Sequence, residues 1–293
     1  MTHAPAHDRV AVGVDIGGTN IRAARVRQDG RASERIKVPT ASAPSVPELV
    51  SDLCVQLLDD DVEAIGIGIP GRLDRDAMTI LSAGFVDLAG SRLGEVIEKA
   101  VGRPVVMEND AHMALLAELA VGAGASASHV VLFTVGTGIG GAVAMERTVL
   151  RGRGNAGQLG HLTLDRSGPA CNCGRHGCSE VFTSGTALRR LIREAGLPES
   201  TTVETLLEQG ADDPAAEAVL RRWAGAWRDA IDTVVAVLDP DLVILGGGLG
   251  AAAAAAVDAH APSGSAWFDC PVAPAQLADD AGVIGAGLRA FAR

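Results

Sequence analysis

The sequence predicts an internally duplicated α/β protein, and three observations carry the prediction. Two segments, at 13–22 and 132–142, each read as strand, glycine turn, strand. Short apolar runs of strand type alternate with helical runs through the rest of the chain. Hydrophobic residues make up 47% of the 293 and charged residues 21%, which supplies a core and argues against disorder. Similarity as short as these two turns is weak alone, because glycine-rich hairpins are common.

In chain order, residues 10–27 give two strands joined by a glycine turn, and 33–38 adds a third. An amphipathic helix follows near 45–59, so the opening is a meander rather than a Rossmann unit. Residues 64–70 form a short buried strand stopped by Pro70-Gly71, and 91–101 read as helix. Arg103 to Glu108 is a further strand, and Asn109-Asp110 then begins a helical run. The second half restates this pattern with the strand pair over 129–145, a long helix over 213–238, the apolar strand 241–250 and a closing helix over 281–292. Trp223 and Trp227, four apart on the long helix, should pack as a core or interface pair.

Composition removes several function classes. The formal charge of −11 repels phosphate backbones and anionic lipid, so neither nucleic acid nor a membrane surface is expected as a partner. No apolar run approaches the ~18 residues of a spanning helix, and the start lacks a signal-peptide core, which makes the cytoplasm the default. The only lysines are Lys37 and Lys99, and neither lies in a P-loop or a protein-kinase lysine motif. Any bound phosphate must be held by backbone N–H groups, hydroxyls, arginines or a metal.

Two turns fit that demand. In Asp15-Ile16-Gly17-Gly18-Thr19-Asn20, glycines let the backbone approach an anion, Thr19 adds a hydroxyl, and Asp15 is placed to hold Mg²⁺ through water. Thr134 to Gly141, containing Gly136-Thr137-Gly138, repeats the device. Gly246-Gly247-Gly248 suits close approach to adenine or ribose, or simply turns a strand into a helix. At Glu108-Asn109-Asp110, a helix N-terminus would keep Asp110 ionised as a general base, with Asn109 orienting substrate. Both residues are equally good helix caps.

The most specific signal is His161 followed by Cys171, Cys173 and Cys178. Three cysteines within eight residues and an upstream histidine fit a tetrahedral zinc site with no open position, hence a structural Zn²⁺. A disulfide would strand one thiol of the cluster. His176 is an alternative ligand or a solvated loop residue, while Cys54 and Cys270 read as packed thiols. Glu180 and Gln158 lie close to the ligands in sequence, where a metal-tied loop would fix them.

These motifs resemble the ROK sugar kinases, in particular the zinc-containing glucokinase-like branch of actinobacteria. The match spans the chain through residues 15–20, 68–71, 108–110, 136–141, 157–161, 171–180 and 245–248. The resemblance implies an actin-like, hexokinase-type (ribonuclease H-like) fold of two α/β domains. A small N-terminal domain would span about 1–115 and a larger one with the zinc loop 116–280, the helix near 281–293 packing back on the first. It also implies an ATP- and Mg²⁺-dependent kinase acting on a primary, 6-type hydroxyl of a hexose or hexose-like ring. Asp15, Gly17 to Asn20, Gly136 to Gly138 and Gly246 to Gly248 would serve the nucleotide, and Asp110 would be the base. Asn109, Asp110, Gln158, His161 and Glu180 would meet the sugar, and a homodimer or homotetramer is expected.

Two departures from the family pattern fall on the sugar side. Gln158 stands where the family has glutamate, exchanging an acceptor for an amide that also donates. The stretch Leu81 to Asp87 lacks the asparagine often found near the sugar. Both favour an amino sugar, an N-acyl sugar or a cyclitol as alternatives to glucose. A noncatalytic sugar-sensing regulator is the remaining reading. Family repressors carry a DNA-binding segment of several dozen residues ahead of the first turn, whereas fourteen residues precede Asp15 here.

Overall fold

The computed structural model describes residues 9–42, 45–74, 79–82, 88–210 and 212–292. They divide into two compact units. The first gathers the described residues through Ala125, the segment Arg151–Ala156 and the chain from Asp279 onward; the second comprises Ser126–Leu150 and Gly157–Ala278.

In the first unit, β1 (Val10–Ile16) and β2 (Asn20–Arg27) form the expected hairpin, continued by β3 (Ala32–Pro39). Helix α1 (Val46–Gln56) starts at Ser45, whose hydroxyl accepts from the Glu48 N–H, and it buries Val50, Leu53 and Cys54. Then follow β4 (Val62–Ile69), the small hairpin β5 (Arg72–Asp74) and β6 (Thr79–Ser82), α2 (Leu93–Val101), β7 (Val105–Asn109) and α3 (Asp110–Val121). Sheet order is β3-β2-β1-β4-β7, with β1 antiparallel to β2 and parallel to β4, and β4 parallel to β7. The central strands β1 and β4 are buried almost throughout, as their largely apolar sequences require, the partly exposed positions being Asp15 and Glu63.

The C-terminal helix Ala281–Phe291 packs on β1, β4 and α3. Glycine makes this possible. A Cβ on Gly66 would lie 1.8 Å from the Ala286 carbonyl oxygen, and one on Gly285 would lie 1.7 Å from that of Met113. Helix and sheet, and helix and helix, therefore meet backbone to backbone.

The second unit begins with β8 (Val130–Val135), β9 (Ile139–Met145) and β10 (Thr148–Val149). Helices α4 (Glu180–Thr183), α5 (Gly185–Glu194), α6 (Val203–Gln209) and α7 (Pro214–Leu238) follow, then β11 (Leu242–Gly246), α8 (Gly250–His260) and β12 (Val272–Pro274). The sheet order β10-β9-β8-β11-β12, with β8 antiparallel to β9 and parallel to β11, repeats the first unit strand for strand. The duplication suggested by two glycine turns is thus a duplication of whole sheets. Trp223 and Trp227 are fully buried, resolving them as core; Trp227 meets Phe133 edge-on at 5.4 Å, and Trp223 donates its indole N–H to the Thr183 carbonyl at 2.8 Å.

Candidate active site

In the first unit the β1–β2 turn is closed by a hydrogen bond from the Gly17 N–H to the Asn20 carbonyl, 3.0 Å. Thr40 pins it from outside, donating its N–H to the Thr19 carbonyl and its hydroxyl to that of Gly17. Gly17 therefore shapes the turn rather than offering its own N–H to an anion, while Gly18 and Thr19 stand exposed at the tip. Asp15, at the end of β1, faces Arg22 at 3.4 Å, and Arg22 also reaches Asp279 at 2.9 Å. Burial raises the Asp15 carboxyl above its ordinary range despite that guanidinium.

Asn109 and Asp110 stand at the corner where β7 becomes α3. The Asn109 amide caps the helix, accepting from the N–H groups of Ala111 and His112, and donates to the Gly71 carbonyl at 3.0 Å. Its orientation is thereby fixed, with the cap and the proposed substrate contact served by one side chain. Asp110 corrects the expectation of a carboxylate kept ionised by the helix end. Burial, reinforced by the charge of Asp15, pushes it up to about 7, against the lowering effect of the Ala111 N–H. A carboxyl at that value exchanges protons readily near neutrality.

A cavity of about 240 Å³ opens beside this corner, lined among others by Gly71, Asn109, His112, Arg151 and Arg153. Part of its wall is a polar cluster to which the sequence assigned no role. Glu108 is 3% exposed and receives Arg151 Nε at 2.5 Å and His112 Nδ1 at 3.2 Å. Burial alone would raise its carboxyl, but His112 and Arg151 overrule it and hold the group far below the usual range. Glu108 and His112 are spaced i, i+4, a readable signal; Arg151 is 43 residues away and carried none.

In the second unit, the turn between β8 and β9 is closed like the first, by the Gly136 N–H on the Gly138 carbonyl at 3.0 Å. The Gly136 carbonyl accepts from Gly185 at the start of α5, and the Thr137 carbonyl from the Thr186 hydroxyl. Glu180, expected to face a sugar, places its carboxylate on the Ile139 N–H of this same turn, 2.9 Å. Gly247 adopts φ +78° and lies so close to β8 that a Cβ there would sit 2.6 Å from the Val135 carbonyl oxygen. Gly247, just after β11, thus abuts the end of β8 from which the second phosphate-loop candidate springs.

Ligand atoms of His161, Cys171, Cys173 and Cys178 all lie within 4.8 Å of one another. Cys171 Sγ is 3.7 Å from His161 Nδ1, and Cys173 Sγ is 3.6 Å from Cys178 Sγ. A tetrahedral zinc with bonds of about 2.3 Å has edges of about 3.8 Å, so the donor set fits the ion. All three thiols are free; the Arg175 backbone and guanidinium lower Cys173 to about 7, toward the thiolate a metal needs, while burial pushes Cys178 up to about 12. His176 is exposed and turns its Nδ1 to the Gly168 carbonyl, outside this group. Gln158 immediately precedes the short helical turn Leu159–His161, half-buried. Of the stretch Leu81 to Asp87, residues 83–87 lie outside the described residues.

Comparison with known proteins adds a family and its relatives. The sequence model of the ROK family matches residues 11–291. The chain is 32% identical to a glucokinase of Thermotoga maritima, over 94% of this chain and 95% of that one. It is 29% identical to an N-acetylmannosamine kinase of Vibrio cholerae serotype O1, over 94% and 97%. The structure of a ROK family glucokinase from Streptomyces griseus, in complex with glucose and AMPPNP, superposes with a TM-score of 0.84 at 32% identity, covering 97% of this chain and 100% of that one. The repeated sheet topology and this superposition agree with the hexokinase-type fold expected from sequence.

Proposed function

The chain belongs to the ROK family, and on that premise we propose that it is an ATP-dependent sugar kinase acting on the primary, 6-type hydroxyl of a hexose. The observation that carries this reading is the β7–α3 corner, where the fixed amide of Asn109 lines a monosaccharide-sized cavity and the next residue, Asp110, has its carboxyl pushed up to about 7. Asp110 accepts the proton of the attacking hydroxyl, and Asn109 orients the ring. Gly18 and Thr19 in one turn and Thr137 and Gly138 in the other offer N–H and hydroxyl groups to phosphate, with Gly246 to Gly248 beside the adenosine. Asp15 is the residue that would hold Mg²⁺ through water, and the ion would supply positive charge to offset that of the phosphate oxygens. His161, Cys171, Cys173 and Cys178 would hold a structural zinc that stiffens the segment from Gln158 to Glu180.

Glucose is the first candidate substrate, supported by the curated relatives named glucokinase. An N-acyl or amino sugar is the second, favoured by Gln158 and by the similarity to N-acetylmannosamine kinases. An ADP-release assay over glucose, mannose, N-acetylmannosamine, glucosamine and cyclitols decides between them, and absence of turnover with all of them overturns the kinase. The acidic charge supports a protein that leaves nucleic acid alone, and no described helix is long and apolar enough to cross a membrane. The family resemblance carries the expectation of a homodimer or homotetramer, to be tested by light scattering, and the cytoplasm is the expected compartment.

A further inference from the structure

We propose that Glu108, His112 and Arg151 form a strap that fastens the loop Arg151–Ala156 to the β7–α3 corner and so positions the sugar pocket. The inference rests on the kinase reading above and concerns residues that reading does not use.

The loop is glycine-rich, with Gly152 at φ +53° and Gly154 at φ +90°, and its internal bonds run from the N–H groups of Gly154, 2.9 Å, and Ala156, 3.4 Å, to the Arg151 carbonyl, so its hold on the rest of the unit must come from elsewhere. It nevertheless supplies Arg151, Gly152, Arg153 and Gly154 to the wall of the cavity that Asn109 lines. Both of its ends are tied to the corner through buried groups. At the first end, Arg151 Nε donates to Glu108 Oε2 at 2.5 Å. At the other, the Ala156 carbonyl meets His112 Nε2 at 3.2 Å, while His112 Nδ1 meets Glu108 Oε1, also at 3.2 Å.

Both ring nitrogens of His112 thus meet oxygens of the structure, one of the Glu108 carboxylate and one of the Ala156 carbonyl. Glu108 also takes Arg151 and its own neighbour's N–H, that of Asn109, at 3.3 Å. One carboxylate thus gathers the loop's first residue, the helix's first turn and the backbone of the substrate-orienting asparagine. Such a group is a positioning residue: it fixes where Asn109 and the loop wall stand without touching the reacting atoms.

The strap should therefore govern the sugar and spare the nucleotide. The test uses the full chain with Arg151→Met, His112→Phe and the conservative Arg151→Lys, and takes two readouts. Hydrogen–deuterium exchange over residues 150–157 should be slow in the parent and at least about tenfold faster in R151M and H112F. With the sugar the parent turns over, KM for sugar should rise about tenfold to a hundredfold, KM for ATP should stay within about twofold, and R151K should recover most of the loss. Unchanged exchange in the loop overturns the strap. So does a KM for ATP that rises in step with that for sugar, which marks general damage. A parent that turns over no sugar refutes the kinase reading instead, and the exchange measurement still decides the strap.

Discussion

Replacing Asp110 with asparagine should make the protein more stable and nearly inactive, and the size of the gain follows from the corner's electrostatics. Folding raises this carboxyl from 3.8 to about 7, through burial first and the charge of Asp15 second. At 1.36 kcal/mol for each tenfold change in proton affinity, the rise corresponds to about 4 kcal/mol. The folded protein holds the proton more tightly than the unfolded chain does. Stability from this group is therefore full below about pH 4, declines as pH rises, and is lost once pH passes about 7. Asparagine imitates the protonated form and keeps an oxygen for the Ala111 N–H, now bonded at 2.8 Å. Asp110→Asn should thus match the parent near pH 4 and exceed it by up to about 4 kcal/mol at pH 8, measured by urea unfolding across that range. Turnover should fall by about 10²–10⁴ in the same variant. A variant less stable than the parent at pH 8, or a gap that does not widen with pH, would refute the argument.

Because the base works ionised, kcat/KM of the parent should rise about tenfold between pH 6 and 8, and Asp15→Asn should move that limb to lower pH; an unmoved limb would mean the two carboxyls do not interact. Elemental analysis should find about one zinc per chain, and Cys171→Ser should lower both zinc content and thermal stability, whereas His176→Ala should change neither. Gly285→Ala brings a methyl group against the Met113 carbonyl and should cost more than about 3 kcal/mol in unfolding experiments, with loss of soluble protein as the extreme. Gln158→Glu should raise glucose turnover relative to N-acetylmannosamine in the ADP-release assay if the amide sets the preference; an unaltered ratio assigns the preference elsewhere.

Strands buried on both faces were readable because β1, β4, β8 and β11 are predominantly apolar runs with glycine or proline at or soon after their ends, which few other structures tolerate. The zinc ligands were readable for a chemical reason, since soft donors at close spacing have few other uses. Short pairings such as β5–β6 and β10 left no period to detect, being two to four residues long. At the candidate site, local sequence identified the corner yet misjudged its charge. The helix end argues for an ionised Asp110, but Asp15, which outweighs it together with burial, is ninety-five positions away. Arg151 is hidden from sequence for the same reason. Its partner is chosen by the folded chain, and an arginine among glycines looks like any surface loop.

The division of the first unit also dictates an order of events during synthesis. Its sheet is encoded before Ala125, yet the helix that covers β1 and β4 begins at Ala281. At about 5–20 residues per second, a ribosome needs roughly 8–30 s to traverse the interval between the two. Throughout that time the glycine-lined face that will receive the helix is open to water. The second unit's long uninterrupted segment, by contrast, emerges complete before the helix does. The part of the protein made first is therefore finished last.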